Sequence, residues 1–493
     1  MNWLDQAITL VAPGWGERRL AARSRLKVRM NYDGATRGRR SGGWAAPSTS
    51  ADAAGTLGGA RIRMRDLARD MVRNRPFAAR GVSVILGNVV ANGILPSVAA
   101  ADAGVRQDAQ SVVAEHLLSP WLDAQGVLSL PAMQRAVMSN VVQDGEILVR
   151  RRWRQGTFAR GLALPFQVEL LEADYLNTWL TSWGQNEVIE GVEYGPTGAV
   201  VAYHLYRQHP GGASRRMNLE SVRVPATDIL HIRRIDRAGQ TRGVSWFAPV
   251  LLTLGDLADY QEGELLKQKI AALMAGFITS DDDDYEPSNE DGEALAEGIG
   301  LASIEPGTFT ELPRNKSIIF STPPKIEGYD GFMRQTLSAI AMGLGITYEA
   351  LAGDLSKVNF SSARMGRMEM DRNVEAWQQL IMIDQFCNGI GRWVADAWAI
   401  RFGAPPGFSL TWTPPRRPLI DPREMTALIA EIDAGLNSTQ RGIRQLGRDP
   451  EVIRRERAED ARHAPARPLG AASGPVPVAD DDDDEDDEEE QET

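Results

Sequence analysis

From Val141 to Asp236 apolar and polar residues alternate with a period of two, and on both sides of that tract the period lengthens to that of a helix. Glu146–Trp153, Phe166–Leu171 and Val188–Tyr194 read as half-buried strands. Gly195-Pro-Thr-Gly198 is a turn into Ala199–Tyr206, and Val222–Val224 with Ile229–Arg233 completes one antiparallel sheet in a single α+β domain. Upstream, Arg61–Arg80 predicts a basic helix with Ile62, Leu67, Met71 and Phe77 on its apolar side. Val82–Ala100, interrupted by Asn88, Asn92 and Pro96, reads as strand and turn, and residues 109–140 give two helices around Pro120 and Pro131.

Downstream, the pattern is helical from Pro249 to about Phe277. An acidic loop, Asp281–Asp284, and a short β element around Ser317–Phe320 follow. Phe332–Gly343 is helical again. The stretch from Gly345 to Arg364 holds an apolar helix-like turn, a polar loop from Gly353 to Asn359, and the N-cap candidates Ser361 and Ser362. Ser362–Phe402 lacks proline and predicts one long helix, with Gly389 and Gly391 as places for a bend. Asp421-Pro-Arg-Glu424 sets an N-cap aspartate before a first-turn proline, and Asp449-Pro-Glu451 repeats the signal, so residues 421–460 should form two or three helices.

Length and charge refine this picture. The chain has 493 residues, enough for two to four domains, and 43% of them are hydrophobic. It has no apolar run of membrane-spanning length, one cysteine, and a start (Met1-Asn-Trp-Leu-Asp) without a basic leader; a soluble intracellular protein is expected. The net charge of −12 is local. Asp480–Glu490 is all acid and Glu492 adds one more; without these twelve, 54 of the 66 acids remain against 54 Lys and Arg. Residues 1–80 carry 16 basic and 6 acidic side chains, whereas residues 281–300 carry 9 acids and no base. Such asymmetry speaks to partners rather than to fold.

Catalytic signatures are missing. No Gly-Lys pair exists, so no phosphate-cradling P-loop can form, and no Gly-x-Ser-x-Gly elbow occurs. The five histidines, His116, His204, His209, His231 and His463, lack the i, i+4 spacing of a helical metal site; His204 and His209 read as sheet or turn residues and His231 as a packed imidazole. Cys387, between Phe386 and Ile390, reads as a small buried hydrophobe. Asp281–Asp284 lacks the glycine and glutamate of a calcium loop and reads as a solvated acidic loop; Gly343-Leu-Gly345 lacks the third glycine of a dinucleotide site. No metal and no cofactor is expected.

The order of elements, and above all Gly345-Ile-Thr-Tyr-Glu-Ala-Leu-Ala-Gly-Asp-Leu-Ser-Lys-Val-Asn-Phe-Ser-Ser-Ala-Arg364, resembles the lambda-type bacteriophage portal proteins over roughly residues 65–450. The resemblance is most specific between residues 306 and 364. It implies an α+β portal-type subunit: a flexible basic arm (1–60), a wing (61–248), a stem helix (249–277), a small clip (278–325), a second stem helix (326–345), a tunnel loop (346–361), a long spine helix (362–402), a wing return with a helical crown (403–460), and a disordered linker with its acidic tail (461–493). It further implies a non-enzymatic ring of about twelve copies through which double-stranded DNA passes, in the virion and, during assembly, in the host cytoplasm. Terminase, a head–tail adaptor and a capsid or scaffold protein would be its partners. Asp354, Ser356, Lys357 and Asn359 would then face the DNA channel, and Asp281, Asp282, Asp283 and Asp284 would dock the adaptor or terminase. The stem helices would leave apolar surface for neighbouring copies. The alternatives are a nucleic-acid-processing accessory enzyme with scattered carboxylates, or a plain oligomeric scaffold.

Overall fold

The period-two tract folds because both faces of its strands are covered. In the computed structural model, which describes residues 52–57, 60–212, 220–273, 277–280, 316–319, 328–356, 359–415 and 423–463, strands β2 (Glu146–Trp153), β3 (Phe166–Glu172) and β9 (Ile229–Arg233) form an antiparallel sheet in the order β3-β2-β9. Ile147, Val149, Phe166, Val168, Leu230 and Ile232 point into a large core shared with helices, while Leu148, Leu171 and Ile229 point to the opposite face. There they meet Val192, Tyr203, Leu205 and Val224 of a second sheet, β4 (Ser182–Trp183), β5 (Asn186–Ile189), β6 (Val192–Tyr194), β7 (Val200–Tyr206) and β8 (Ser221–Pro225), paired in sequence order. Alternation of side chains lets one strand serve two cores. The single sheet expected from the sequence is therefore two sheets, stacked through a small core. Val188–Tyr194 is also not one strand but a hairpin. Glu190 (φ 48°) and Gly191 (φ 88°) both adopt positive φ, the requirement of a tight two-residue hairpin turn.

The chain divides into two units, Met1–Thr56 and Leu57–Thr493; of the first only Asp52–Thr56 is described, with Ala53–Thr56 in helix α1 (Ala53–Leu57). In the second unit the basic segment forms two helices, α2 (Ala60–Asn74) and α3 (Pro76–Val89). Two corrections follow. Ile62 and Leu67, expected to be buried, are each 40% exposed, whereas Arg61, Arg65 and Ala68 are buried. Val82–Val89 is helical rather than extended: Pro76 at the start of α3 nucleates a helix that buries Val82, Ile85, Leu86 and Val89, and packing overrides the strand preference of the β-branched residues. Only Leu95–Ala99 (β1) is extended, and it pairs with β12 (Ser409–Thr413). Helices α4 (Ala103–Leu117) and α5 (Leu130–Asp144) lie where the sequence placed two helices.

Helix α6 (Leu251–Leu273) ends before Phe277, which starts strand β10 (Phe277–Ser280); β10 pairs with β11 (Lys316–Ile319). Helix α7 (Tyr329–Leu344) packs on α6, with the Tyr260 ring stacked on Tyr329 and tilted against Phe332. Leu254 and Leu257 of α6 and Leu337, Ile340 and Leu344 of α7 are buried, so these helices join the core more than the sequence suggested. Exposed apolar side chains remain: Leu252, Leu265 and Leu266 on α6, and Phe332 and Met342 on α7.

After the short helix α8 (Tyr348–Ala352), the long helix runs unbroken as α9 (Phe360–Trp377), a π-helical stretch (Gln378–Cys387) and α10 (Asn388–Phe402). It begins at Phe360, so the N-cap position falls on Asn359 and not on Ser361 or Ser362. Its irregularity lies upstream of the two glycines. Gly389 instead allows close packing, since an added Cβ would stand 2.5 Å from Leu230. Three helices follow, α11 (Arg423–Asp433), α12 (Thr439–Gln445) and α13 (Pro450–His463). Asp449 caps the last of them, accepting the Glu451 N–H at 2.8 Å. Asp421, the other proposed cap, lies outside the described residues. No helix among the described residues is long and apolar enough to cross a membrane.

Candidate functional site

The segment Gly345–Asn359 is built on an anchored base. Gly345 ends α7 at φ 73°, and its N–H donates to Met342 O at 3.0 Å. A Cβ at Gly345 would stand 3.2 Å from the Trp377 ring, and Asn373 of α9 donates from Nδ2 to the Gly345 carbonyl at 3.1 Å. Thr347 caps α8, its hydroxyl accepting the Ala350 N–H at 3.2 Å. Leu351 is buried against α3, and Arg80 of α3 donates from Nε to Ala350 O at 3.1 Å. Three helices thus hold the base of the loop. Gly345→Ala is expected to lower stability by about 1–3 kcal/mol through left-handed backbone strain and displacement of Trp377; urea midpoints of the two proteins measure it.

Beyond the base, Asp354 organises the loop. Its Oδ1 accepts from the Ser356 hydroxyl at 2.6 Å and from the Ser356 N–H at 3.0 Å, and its Oδ2 accepts from the Tyr348 hydroxyl at 3.3 Å. Those two bonds from Ser356 hold the Asp354 carboxyl below its usual range. Burial, then the charge of Asp354, raises the Tyr348 phenol, over whose ring Arg334 lies at 5.4 Å. The structure thus brings together Asp354 and Ser356 of the four loop residues singled out. Asn359 immediately precedes α9. Lys357 lies outside the described residues, as do Asp281, Asp282, Asp283 and Asp284.

A second set of functional-looking groups escaped the sequence reading. Glu146, fully buried, accepts from Arg242 Nε at 2.8 Å, from Arg61 at 3.2 Å and from the Gly243 N–H at 2.8 Å. His231 Nε2 lies 2.8 Å from Glu146 Oε2, the oxygen that also accepts the Gly243 N–H. Burial would raise Glu146, but Arg242, the His231 hydrogen bond and Arg61 outweigh it and hold the carboxyl well below its usual range. Burial, reinforced by Arg233, lowers His231 to about 4, so the ring is neutral near neutrality and Nε2–H donates to the carboxylate. The readable sign was there: Arg61, Arg65 and Arg69 recur every four residues and share one helix face. That face turns inward. Arg65 bonds Asp174 at 2.6 Å, and Arg69 bonds Asp144 at 2.8 Å and both Glu172 and Asp174 at 2.9 Å.

Among the described residues, one group of carboxylates and a histidine lies close enough to share an ion. Glu172, Asp174 and His209 bring one donor atom each within 4.8 Å of one another. The Arg69 guanidinium already supplies the cation between the two acids. His204 is buried 3.0 Å from Glu193, which also binds Arg223 at 2.7 Å. The bonds from Arg223 hold Glu193 at about 2. Cys387 is buried, its thiol raised by desolvation, with Gln134 Nε2 at 3.6 Å. These groups are satisfied structural polar residues.

Residues 37–378 match the family described as phage portal protein, lambda family. Among curated relatives, the chain is 26% identical over 469 residues to the probable portal protein of Halomonas phage phiHAP-1, covering 90% of this chain and 88% of the relative. It is 22% identical over 460 residues to the portal protein of Escherichia phage N15 (83% and 86% covered) and 23% identical over 365 residues to portal protein B of Escherichia phage lambda (66% of each). Among solved structures, a chain of the neck of a native gene transfer agent particle, computed with C12 symmetry, aligns at TM-score 0.46 and 15% identity, over 78% of this chain and 94% of that one. An HK97 family phage portal protein from Corynebacterium diphtheriae aligns at TM-score 0.30 and 9% identity, over 73% and 96%.

Proposed function

The chain belongs to the lambda family of phage portal proteins, and on that premise we propose that it closes into a ring of about twelve copies around a channel for double-stranded DNA. Its role is structural. It serves at the portal vertex of a tailed-phage or prophage head, in genome packaging and ejection. The observation that carries this reading is the continuous family match over residues 37–378, which takes in the stacked sheets, helices α6 and α7, and the anchored loop with the first half of the long helix.

In this reading residues 61–248 are the wing, α6 and α7 the stem, the long helix the spine and residues 421–460 the crown. The exposed Leu252, Leu265, Leu266, Phe332 and Met342 are stem surface covered by neighbouring copies. Asp354, Ser356, Lys357 and Asn359 face the channel. A loop with one cation and a carboxylate touches the duplex without holding it, because each Lys or Arg contact to phosphate releases counterions and adds affinity that would stall translocation. Asp281–Asp284 forms a clip surface for the terminase and the head–tail adaptor, and the basic arm meets capsid or scaffold protein.

Purified full-length protein should scatter light as a particle of roughly 650 kDa, from about twelve copies of 54.0 kDa, and show rings with a central hole in negative stain. A stable 54.0 kDa monomer at micromolar concentration would sink the proposal. Deleting Leu355–Val358 should leave the rings intact and reduce packaged DNA; unchanged packaging would remove the loop from the mechanism.

A further inference from the structure

The π-helical stretch Gln378–Cys387 sits in the middle of the spine, and its length is unusual: π segments mostly occur as single-turn bulges, frequently at functional sites. Its widened spacing is visible in three pairs five residues apart. The Asn388 N–H donates to Ile383 O, Gln385 Nε2 donates to Leu380 O at 3.1 Å, and Gln379 Nε2 donates to Asp384 Oδ1 at 2.9 Å.

Two glutamines fix this register against two different neighbours. Gln378, buried, donates from Nε2 to Asn88 O and Val89 O at the end of α3, at 3.3 and 2.9 Å. Gln385 pairs with the Arg233 peptide of β9 as a strand would, its Oε1 accepting the N–H and its Nε2 donating to the carbonyl, both at 3.0 Å. Residues seven apart on an ordinary α-helix fall on one stripe. Here they reach a helix end and a sheet edge, so the π register is what allows both contacts. Immediately upstream, Trp377 packs on Trp246 at 4.8 Å and lines Gly345, and Asn373 bonds the Gly345 carbonyl. The half of the spine above the π segment therefore carries the base of the loop.

We propose that the π segment is a register lock through which the wing sets the position of the loop, with Gln378 and Gln385 as its positioning residues. Resolving one widened turn into an α turn rotates α9 by about 100° and slides it by about 1.5 Å relative to α10. Trp377, Asn373 and the loop base move with it, while α10 stays bound to strand β2 through the 2.6 Å Arg151–Asp396 ion pair and to the turn before β9 through the 2.9 Å hydrogen bond from Trp393 Nε1 to the Thr227 carbonyl. The loop's importance rests on the conduit reading above; the coupling itself does not.

Hydrogen–deuterium exchange on the assembled full-length protein tests it without any packaging assay. Gln385→Ala should speed exchange at least threefold both at residues 378–387 and at residues 345–353, with Gln378→Ala doing the same and Gln379→Ala, which breaks only a pair within the segment, leaving 345–353 unchanged. Acceleration confined to 378–387 would overturn the proposal, since a local anchor predicts that outcome. Should neither of the first two variants assemble, wild-type protein decides. Exchange at 378–387 and 345–353 should then share one temperature dependence, distinct from that of residues 388–402; independent behaviour refutes the lock.

Discussion

Replacing Glu146 with alanine is expected to destabilise the protein by about 3–5 kcal/mol, a large part of the usual margin of a folded domain. Arg61 and Arg242 are both 2% exposed and face this carboxylate from α2 and from the segment after β9. Removing it leaves two buried guanidinium groups with the partly exposed Glu190 as their remaining carboxylate neighbour, at 3.2 Å from Arg61 and 3.8 Å from Arg242. His231 loses its acceptor as well. The cost comes from stranding charges that folding has already taken out of water, so Glu146→Gln, which keeps the shape and one acceptor, should recover only part of it. Urea unfolding of wild type and both variants gives the answer. A loss below 1 kcal/mol in the alanine variant would mean that water reaches the cluster and that the network is not what joins the arginine helix to the sheets.

This network also shows where the sequence was legible and where it was not. The loop segment was readable because its punctuation is local: Gly345 ends α7 and Gly353 ends the short α8, both at positive φ, and Thr347 caps α8. The alternating strands were readable for the same reason. Whether they made one sheet or two was not, because period two states only that faces alternate, not what covers each face. The Arg61–Arg65–Arg69 stripe was misjudged because charge normally signals solvent. Its burial depends on Asp144, Glu146, Glu172 and Asp174, more than 70 residues away in the chain. The π register is less visible still. It follows from what Gln378 and Gln385 meet on α3 and β9, and no local propensity encodes it.

Acid should destabilise the protein before its surface carboxylates are fully titrated, and two histidines set the window. His116 is buried beside Phe166, ring centroids 4.8 Å apart, and burial lowers it from 6.5 to about 4. His231 is lowered to about 4 as well. In both cases the unfolded chain takes up its proton near pH 6.5 and the folded chain only near 4, so stability is fully present above 6.5 and is lost as the pH falls through this window. For His116 the loss amounts to about 3 kcal/mol; His231 adds in the same direction. Below pH 4.5 the depressed Glu146 and Glu193 extend the decline, whereas Asp144, raised by burial, opposes it. Urea unfolding at pH 7.5 and pH 4.5 should therefore differ by several kcal/mol in wild type. His116→Phe keeps the ring and removes the titrating group, so its difference between the two pH values should be smaller by about 3 kcal/mol. An identical difference in the variant would show that His116 is protonated without unfolding, and would place the acid sensitivity at the Glu146–His231 pair alone.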